Sequence, residues 1–362
     1  VSLADRWRTF RAGLIADRRF RRFAARNPIT RGIARKRAAA LFDLCAGFVY
    51  SQVVSAFVRL GLVDLLAAAP LTAREIAHAV DLPAERVDRL MRAAAALGLA
   101  EARSGDRYGL GELGAALVDN DGVRAMIEHH DLLYRDLQDP VALLRGEVIT
   151  GLSRYWSYAG DSDGDAGSYS RLMARSQAFV ADEVLDSDVL ANARHVLDVG
   201  GGSGAFVEAA VHRHRALAAT LFDLPAVASL ARDRLRAAGI ADRVAVVAGD
   251  LRHDPLPGGA DLVTLVRVLH DHDDAVAAAL LSSIHRTLAP GGRLIVAEPM
   301  AGTRGAEASG DAYFGFYLLA MGQGRPRRFD EIADLAKAAG FRRIREIATA
   351  TPLVARILVA SD

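Results

Sequence analysis

Residues 195–204 read His-Val-Leu-Asp-Val-Gly-Gly-Gly-Ser-Gly, a short apolar run that ends in a carboxylate and then in four glycines within five residues. A run such as His195-Val196-Leu197 suits a buried parallel strand. Gly200, Gly202 and Gly204 let the backbone turn sharply and lie close against a ligand. The apolar stretch from Ala205 to Val211 predicts a helix whose N-terminal amides point at that ligand. Glycine-rich turns also occur without ligands, so the neighbouring segments decide the reading.

Downstream, the segments VLDVG, TLFDL, VAVVAGD, DLVTLVRVLH and RLIVAEPM alternate with helical stretches, the signature of a doubly wound parallel sheet. FDEIADLAKAAGF then predicts a helix closed by Gly340. After it come FRRIREIATA and PLVARILVAS, two β-like runs joined so tightly that they must be antiparallel. Upstream, GDSDGDAG at 160–167 predicts a loop, and residues 169–190 predict a long helix leading into the glycine turn.

Further towards the N-terminus the pattern is helical. Residues 38–69 predict one or two helices too apolar for the surface of a lone monomer, so a partner chain is expected to cover them. Thr72 with Glu75 forms a capping box, Pro83 opens a second helix and Gly98 closes it. Ser104-Gly105-Asp106 turns between two short strands, which completes a winged helix-turn-helix. The second helix mixes Glu85, Arg86, Asp88, Arg89 and Arg92, without the basic face expected of a groove reader, so protein packing is preferred to DNA binding. Residues 112–147 continue as helices. Their adjacent His129 and His130 point to different sides and suit structural or pocket-lining roles better than a shared metal.

The chain has 362 residues, 51% of them hydrophobic, enough for two domains and a sizeable core. No stretch reads as long and apolar enough for a membrane span, and the N-terminus lacks a signal-peptide pattern. The single cysteine, Cys45, excludes an internal disulfide, suits a reducing cytoplasm, and is expected to be a small buried side chain. The net charge of +1 conceals an asymmetry, because residues 1–37 hold 12 Lys/Arg against two Asp, a net of +10. Trp7, Phe10, Leu14, Phe20 and Phe23 are interspersed among those arginines, as in helices that lie at a membrane surface.

The glycine turn also satisfies a permissive dinucleotide fingerprint through Gly200, Gly202 and Ala205. Against that stand Asp198 just inside the turn, the terminal antiparallel pair and the spacing of the glycines, which together resemble the S-adenosylmethionine loop of class I methyltransferases. The order LFDLP, AGD, a strand ending in His-Asp, and APGGRLIVAEP resembles the O-methyltransferases related to plant phenolic and acetylserotonin enzymes, over nearly the whole chain. The resemblance implies an α/β class I methyltransferase sheet, Rossmann-like, with a terminal antiparallel hairpin. An all-helical winged-helix dimerisation domain would precede it, with a basic arm at 1–37, the dimerisation domain at 38–165 and the catalytic domain at 166–362.

The same resemblance implies site residues. His270 would be the general base, oriented by Glu298, with Asp271 beside it. Asp198, Gly200, Gly202, Asp223, Leu224, Asp250, Leu251 and Arg267 would contact S-adenosylmethionine, whose product is S-adenosylhomocysteine. Asp223 would serve the ribose hydroxyls and Asp250 the adenine end. No metal is implied, since Asp273 and Asp274 in the run HDHDD more simply cap and charge-balance the next helix. Two positions depart from the plant pattern: His272 stands where tryptophan is usual, and Pro326 where many have a second glutamate.

A closer resemblance lies in ARNPITRGIARKRAAALFDLCAGFVYSQ, RYGLGELGAAL, MIEHHDLLYRDLQDPVALLRG and AMGQGRPR. These are similar to bacterial hydroxyneurosporene (demethylspheroidene) O-methyltransferases of carotenoid synthesis. That similarity implies a long apolar substrate with a tertiary hydroxyl, delivered from a membrane, and walled by Met173, Gln177, Tyr313, Phe314, Phe316, Tyr317 and Met321. A phenolic or polyketide hydroxyl, a bacteriochlorophyll-type ring, or a winged-helix regulator that senses the cofactor are the alternatives at this point.

Overall fold

The computed structural model describes residues 1–156, 177 and 180–362, in two compact units, Val1–Val118 and Asp119–Asp362. The division falls well before residue 165, and the expected boundary there lies outside the described residues, as do the 160–167 loop and most of the predicted helix at 169–190. The helices of 121–144 therefore belong to the second unit.

In the first unit, helices Leu3–Ala16 and Arg18–Arg26 form the basic arm and bury none of their residues. A 29-residue helix, Arg31–Arg59, follows and buries only Ser55, Phe57 and Val58. This corrects two expectations. Cys45 is exposed on this helix, not buried. The helix also carries an 18-residue window of mean hydropathy 1.6, long and apolar enough by length and composition to cross a membrane, with 17% of the window buried. Leu41, Phe42, Leu44 and Phe48 all lie more than 60% exposed along it.

The remainder of this unit is not all-helical. Strands β1 (Leu71–Thr72), β2 (Ala100–Arg103) and β3 (Arg107–Leu110) make an antiparallel sheet in the order β1-β3-β2, packed with helices Ala73–Ala79 and Ala84–Ala96. The capping box is present: Glu75 N donates to Thr72 Oγ1 at 3.2 Å, and Thr72 N donates to Glu75 Oε2 at 2.7 Å. On the Ala84–Ala96 helix the charges pair with each other, Arg89 with Glu85 at 3.6 Å and Arg92 with Asp88 at 2.9 Å.

The second unit is built on a seven-stranded sheet: β4 (His195–Val199), β5 (Ala218–Asp223), β6 (Val244–Ala248), β7 (Leu262–Val266), β8 (Arg293–Glu298), β9 (Arg343–Ile347) and β10 (Arg356–Ser361). The order is β6-β5-β4-β7-β8-β10-β9, all parallel except β10, which runs antiparallel to both β8 and β9. This is the predicted terminal hairpin. Side chains alternate across the sheet, with Val196, Leu221 and Ile295 in one core and Leu197, Val199, Phe222 and Val296 in the other. Helices on both faces cover these cores. The order reverses at β4 and β7, so their carboxyl ends flank the crevice where an open α/β sheet binds its ligands.

Candidate active site

Gly200 and Gly202 carry φ of +70° and +60°, conformations that a side chain would strain, and they carry the chain back over the end of β4. Gly200 N donates to Phe222 O at 2.8 Å, which fixes the turn to β5. Beneath it Asp198 is buried, and its Oδ1 accepts from Thr264 Oγ1 at 2.6 Å. Its Oδ2 has no hydrogen-bond partner among the described residues, and burial raises its pKa to about 7. A Cβ at Gly201 would stand 2.5 Å from that oxygen, whereas one at Gly202 would meet nothing within 4 Å among the described residues. The turn is thus tight below and open above.

Asp223, at the end of β5, accepts from Gly202 N and Leu224 N, each at 2.7 Å. Burial raises its pKa to about 6 against those two bonds. Asp250 follows β6. Its carboxylate is taken by Arg252, with Nη2 at 2.8 Å, and by His253 Nδ1 at 3.0 Å, and Arg252 holds its pKa far below the usual range. Leu251 packs on the core beside it.

Across the turn, a Cβ at Gly200 would touch Val268 at 2.8 Å, which brings the glycine loop against the segment that bears His270. This segment leaves β7 through Arg267, at φ +58° with its amide bonded to Ala297 O at 2.9 Å, and becomes a 3₁₀ turn, Leu269–Asp271. His270 is buried, and its ring lies 5.8 Å from the ring of Phe314. Nε2 faces Asp271 Oδ1 at 3.3 Å, and Nδ1 has no hydrogen-bond partner among the described residues. Burial lowers its pKa to about 3, helped by Arg267, so the imidazole is neutral at pH 7. Burial likewise raises Asp271 well above the usual carboxylate range.

Glu298 makes no hydrogen bond to the imidazole among the described residues. Its Oε2 accepts from the backbone amide of His270 at 3.0 Å. Oε1 is unpartnered among the described residues, and burial raises this carboxyl to about 7. Asp273 is the N-cap of helix Asp274–Thr287 without a side-chain cap bond; its Oδ1 instead accepts from Gly324 N at 3.1 Å. Asp274 pairs with Arg325 and Arg327. His272 is buried and its pKa is lowered to about 4, chiefly by burial.

The expected substrate wall divides. Tyr313 and Phe314 lie together, Tyr313 Oη 2.9 Å from His130 Nε2. Tyr317 pairs with His129 at 2.9 Å, and both Tyr317 and Met321 are buried in the core with Leu133, Leu143 and Leu152. Gln177 Nε2 donates to Val266 O at 3.2 Å, at the end of β7. Phe316 is 37% exposed, and Met173 lies outside the described residues.

Arg327 was not foreseen. In the run GRPRRF it looks like its exposed neighbour Arg328, and a charge run ordinarily reads as a solvated face. It is instead fully buried. Thr264, the partner of Asp198, was hidden in the same way inside an apolar strand.

Residues 134–342 match the family model of the O-methyltransferase domain, and residues 42–120 that of the O-methyltransferase dimerisation domain. The chain is 43% identical to the demethylspheroidene O-methyltransferase of Cereibacter sphaeroides, over 96% of this chain and 93% of that one. It is 42% identical to the protein of the same name from Rhodobacter capsulatus, over 92% and 85%. Among solved structures, human N-acetylserotonin methyltransferase in complex with SAM superposes with a TM-score of 0.74 at 25% identity, over 90% of this chain and 97% of that one.

Proposed function

The chain belongs to the O-methyltransferase family, and from that membership we propose that it moves a methyl group from S-adenosylmethionine to the tertiary hydroxyl of an acyclic hydroxycarotenoid. The residues of the turn suit that cofactor. Among the described residues, one buried oxygen of Asp198 has no partner and nothing stands within 4 Å of a Cβ at Gly202 above it, and Asp223 stands at the end of the adjacent strand. When bound, the cofactor supplies a methyl group already activated by its sulfonium. The protein's own tasks are then to align the acceptor oxygen and to take its proton.

One observation carries the assignment of the base: Nδ1 of His270 is a buried, neutral ring nitrogen without a hydrogen-bond partner among the described residues, two residues from the contact with the glycine loop. A tertiary alcohol is far less acidic than a phenol, so His270 accepts the proton as the oxygen–carbon bond forms and not before. Glu298 holds the turn from behind and Phe314 lies against the ring. The carotenoid class rests on the two demethylspheroidene relatives and on the aromatic pair Tyr313 and Phe314 beside His270.

The exposed apolar side of Arg31–Arg59 is covered by a second copy of the chain, as the dimerisation match over 42–120 supports. The basic arm with exposed Trp7, Phe10 and Phe23 rests on an anionic membrane surface, from which so apolar a substrate is drawn. The test is a methyl-transfer assay with labelled S-adenosylmethionine, offering 1-hydroxy carotenoids in detergent beside a panel of phenols. Turnover of the carotenoid is expected. Turnover of phenols alone would remove the substrate assignment while leaving the reaction class standing.

A further inference from the structure

Four N–H groups of the buried Arg327 are spent on one short stretch. Nη1 donates to Leu269 O at 2.8 Å, Nη2 to His272 O at 2.7 Å, and Nη2 and Nε to Asp274 Oδ1 at 2.7 and 2.9 Å. The first two acceptors are the carbonyls on either side of His270. The carbonyl of His270 itself is taken by Arg325 N at 2.9 Å, in the same segment. Gly324 allows this approach, since a Cβ there would stand 2.2 Å from His270 O. Arg327 is anchored in turn, because its own carbonyl accepts from Ala301 N at 3.0 Å.

We propose that Arg327 is the positioning residue for His270: its guanidinium fork clamps the carbonyls of the 3₁₀ turn from one side while Glu298 holds the amide from the other. The proposal rests on His270 being the base. Burying a guanidinium is costly unless it is paired and its donors are used, and here its donors reinforce a turn whose own closing bond, His272 N to Leu269 O, is long at 3.3 Å. The planar fork reaches Leu269 O, His272 O and Asp274 together. Lysine at 327 keeps the charge, but as a point donor it cannot span the same acceptors. A displacement of the base by about 1 Å is enough to cost on the order of a hundredfold in rate. The segment GRPR, which lacks the family's second glutamate at Pro326, thus braces His270 through the backbone instead of through the ring.

A double-mutant cycle tests this in the full-length protein, using 1-hydroxy carotenoid as acceptor and S-adenosylhomocysteine as the binding probe. R327K is expected to lower kcat roughly a hundredfold, leaving the acceptor KM and the S-adenosylhomocysteine affinity within about threefold. In an H270A background the same substitution is expected to cost almost nothing further, because there is no base left to position. An equal loss in both backgrounds, or wild-type kcat in R327K, would overturn the clamp. Full activity in H270A alone would instead overturn the base assignment, and the two failures are read from different arms. Should R327K lose S-adenosylhomocysteine binding, the cycle is run with D274N. This releases one end of the fork at a half-exposed position, and a several-fold loss confined to the His270 background is expected; an equal loss in H270A would again sink the proposal.

Discussion

His270 is a histidine whose surroundings disfavour its charged form. Burial is the largest cause, with the positive charges of Arg267 and Arg327 acting in the same direction, and its pKa falls to about 3. The unfolded chain would titrate near 6.5. Between those values the unfolded state binds the proton and the folded state does not, so this group's contribution is fully present above about pH 6.5 and is lost as pH falls towards 3. At pH 5 the loss amounts to about 2 kcal/mol. Asp198, Asp223 and Glu298 are shifted upward and work in the opposite sense, so the whole-protein profile mixes both. Comparing thermal melts of wild type and H270Q from pH 7.5 to 4.5 isolates the one group. The variant is expected to gain on the wild type as pH falls, and parallel profiles would mean that the imidazole is not desolvated. Sequence could name His270 because a histidine at the end of a strand in a known order of motifs has few alternatives. It could not show that Glu298 takes the backbone amide, since a carboxylate at that position is compatible with ring or backbone, and only the fold of the turn decides.

At the scale of elements, the glycine turn and the terminal hairpin were readable because each rests on a local rule: glycine where φ is positive, and antiparallel pairing where two strands share a short turn. Thr72 and Glu75 were readable for the same reason. What escaped was set by long-range partners. Arg325, Arg327 and Arg328 stand within four residues of each other, and only their tertiary contacts send Arg327 inward. Cys45 was misplaced because small apolar neighbours usually mean a core, whereas the Arg31–Arg59 helix keeps its apolar side outside the chain's own core. The N-terminal helices are the element whose role is most open to trial. With no buried residue and 12 basic side chains in residues 1–37, they suit adsorption to anionic lipid, which salt should weaken. Removing residues 1–26 is expected to cut co-sedimentation with phosphatidylglycerol vesicles at low salt by several fold. Unchanged partition would return the arm to a purely structural role.

In the whole molecule a family fold, a cofactor turn and one proposed base come together. The sheet sets the ends of β4, β5 and β7 side by side, and with them Asp198, Asp223 and the turn that bears His270. The first unit supplies the dimerisation match and the arm, and the second supplies all of the proposed chemistry. The most direct trial of the central claim is H270A, measured for methyl transfer and for S-adenosylhomocysteine affinity in the same preparation. A loss of turnover of at least about a hundredfold is expected, with cofactor affinity nearly unchanged. Turnover equal to wild type, at equal affinity, would contradict it.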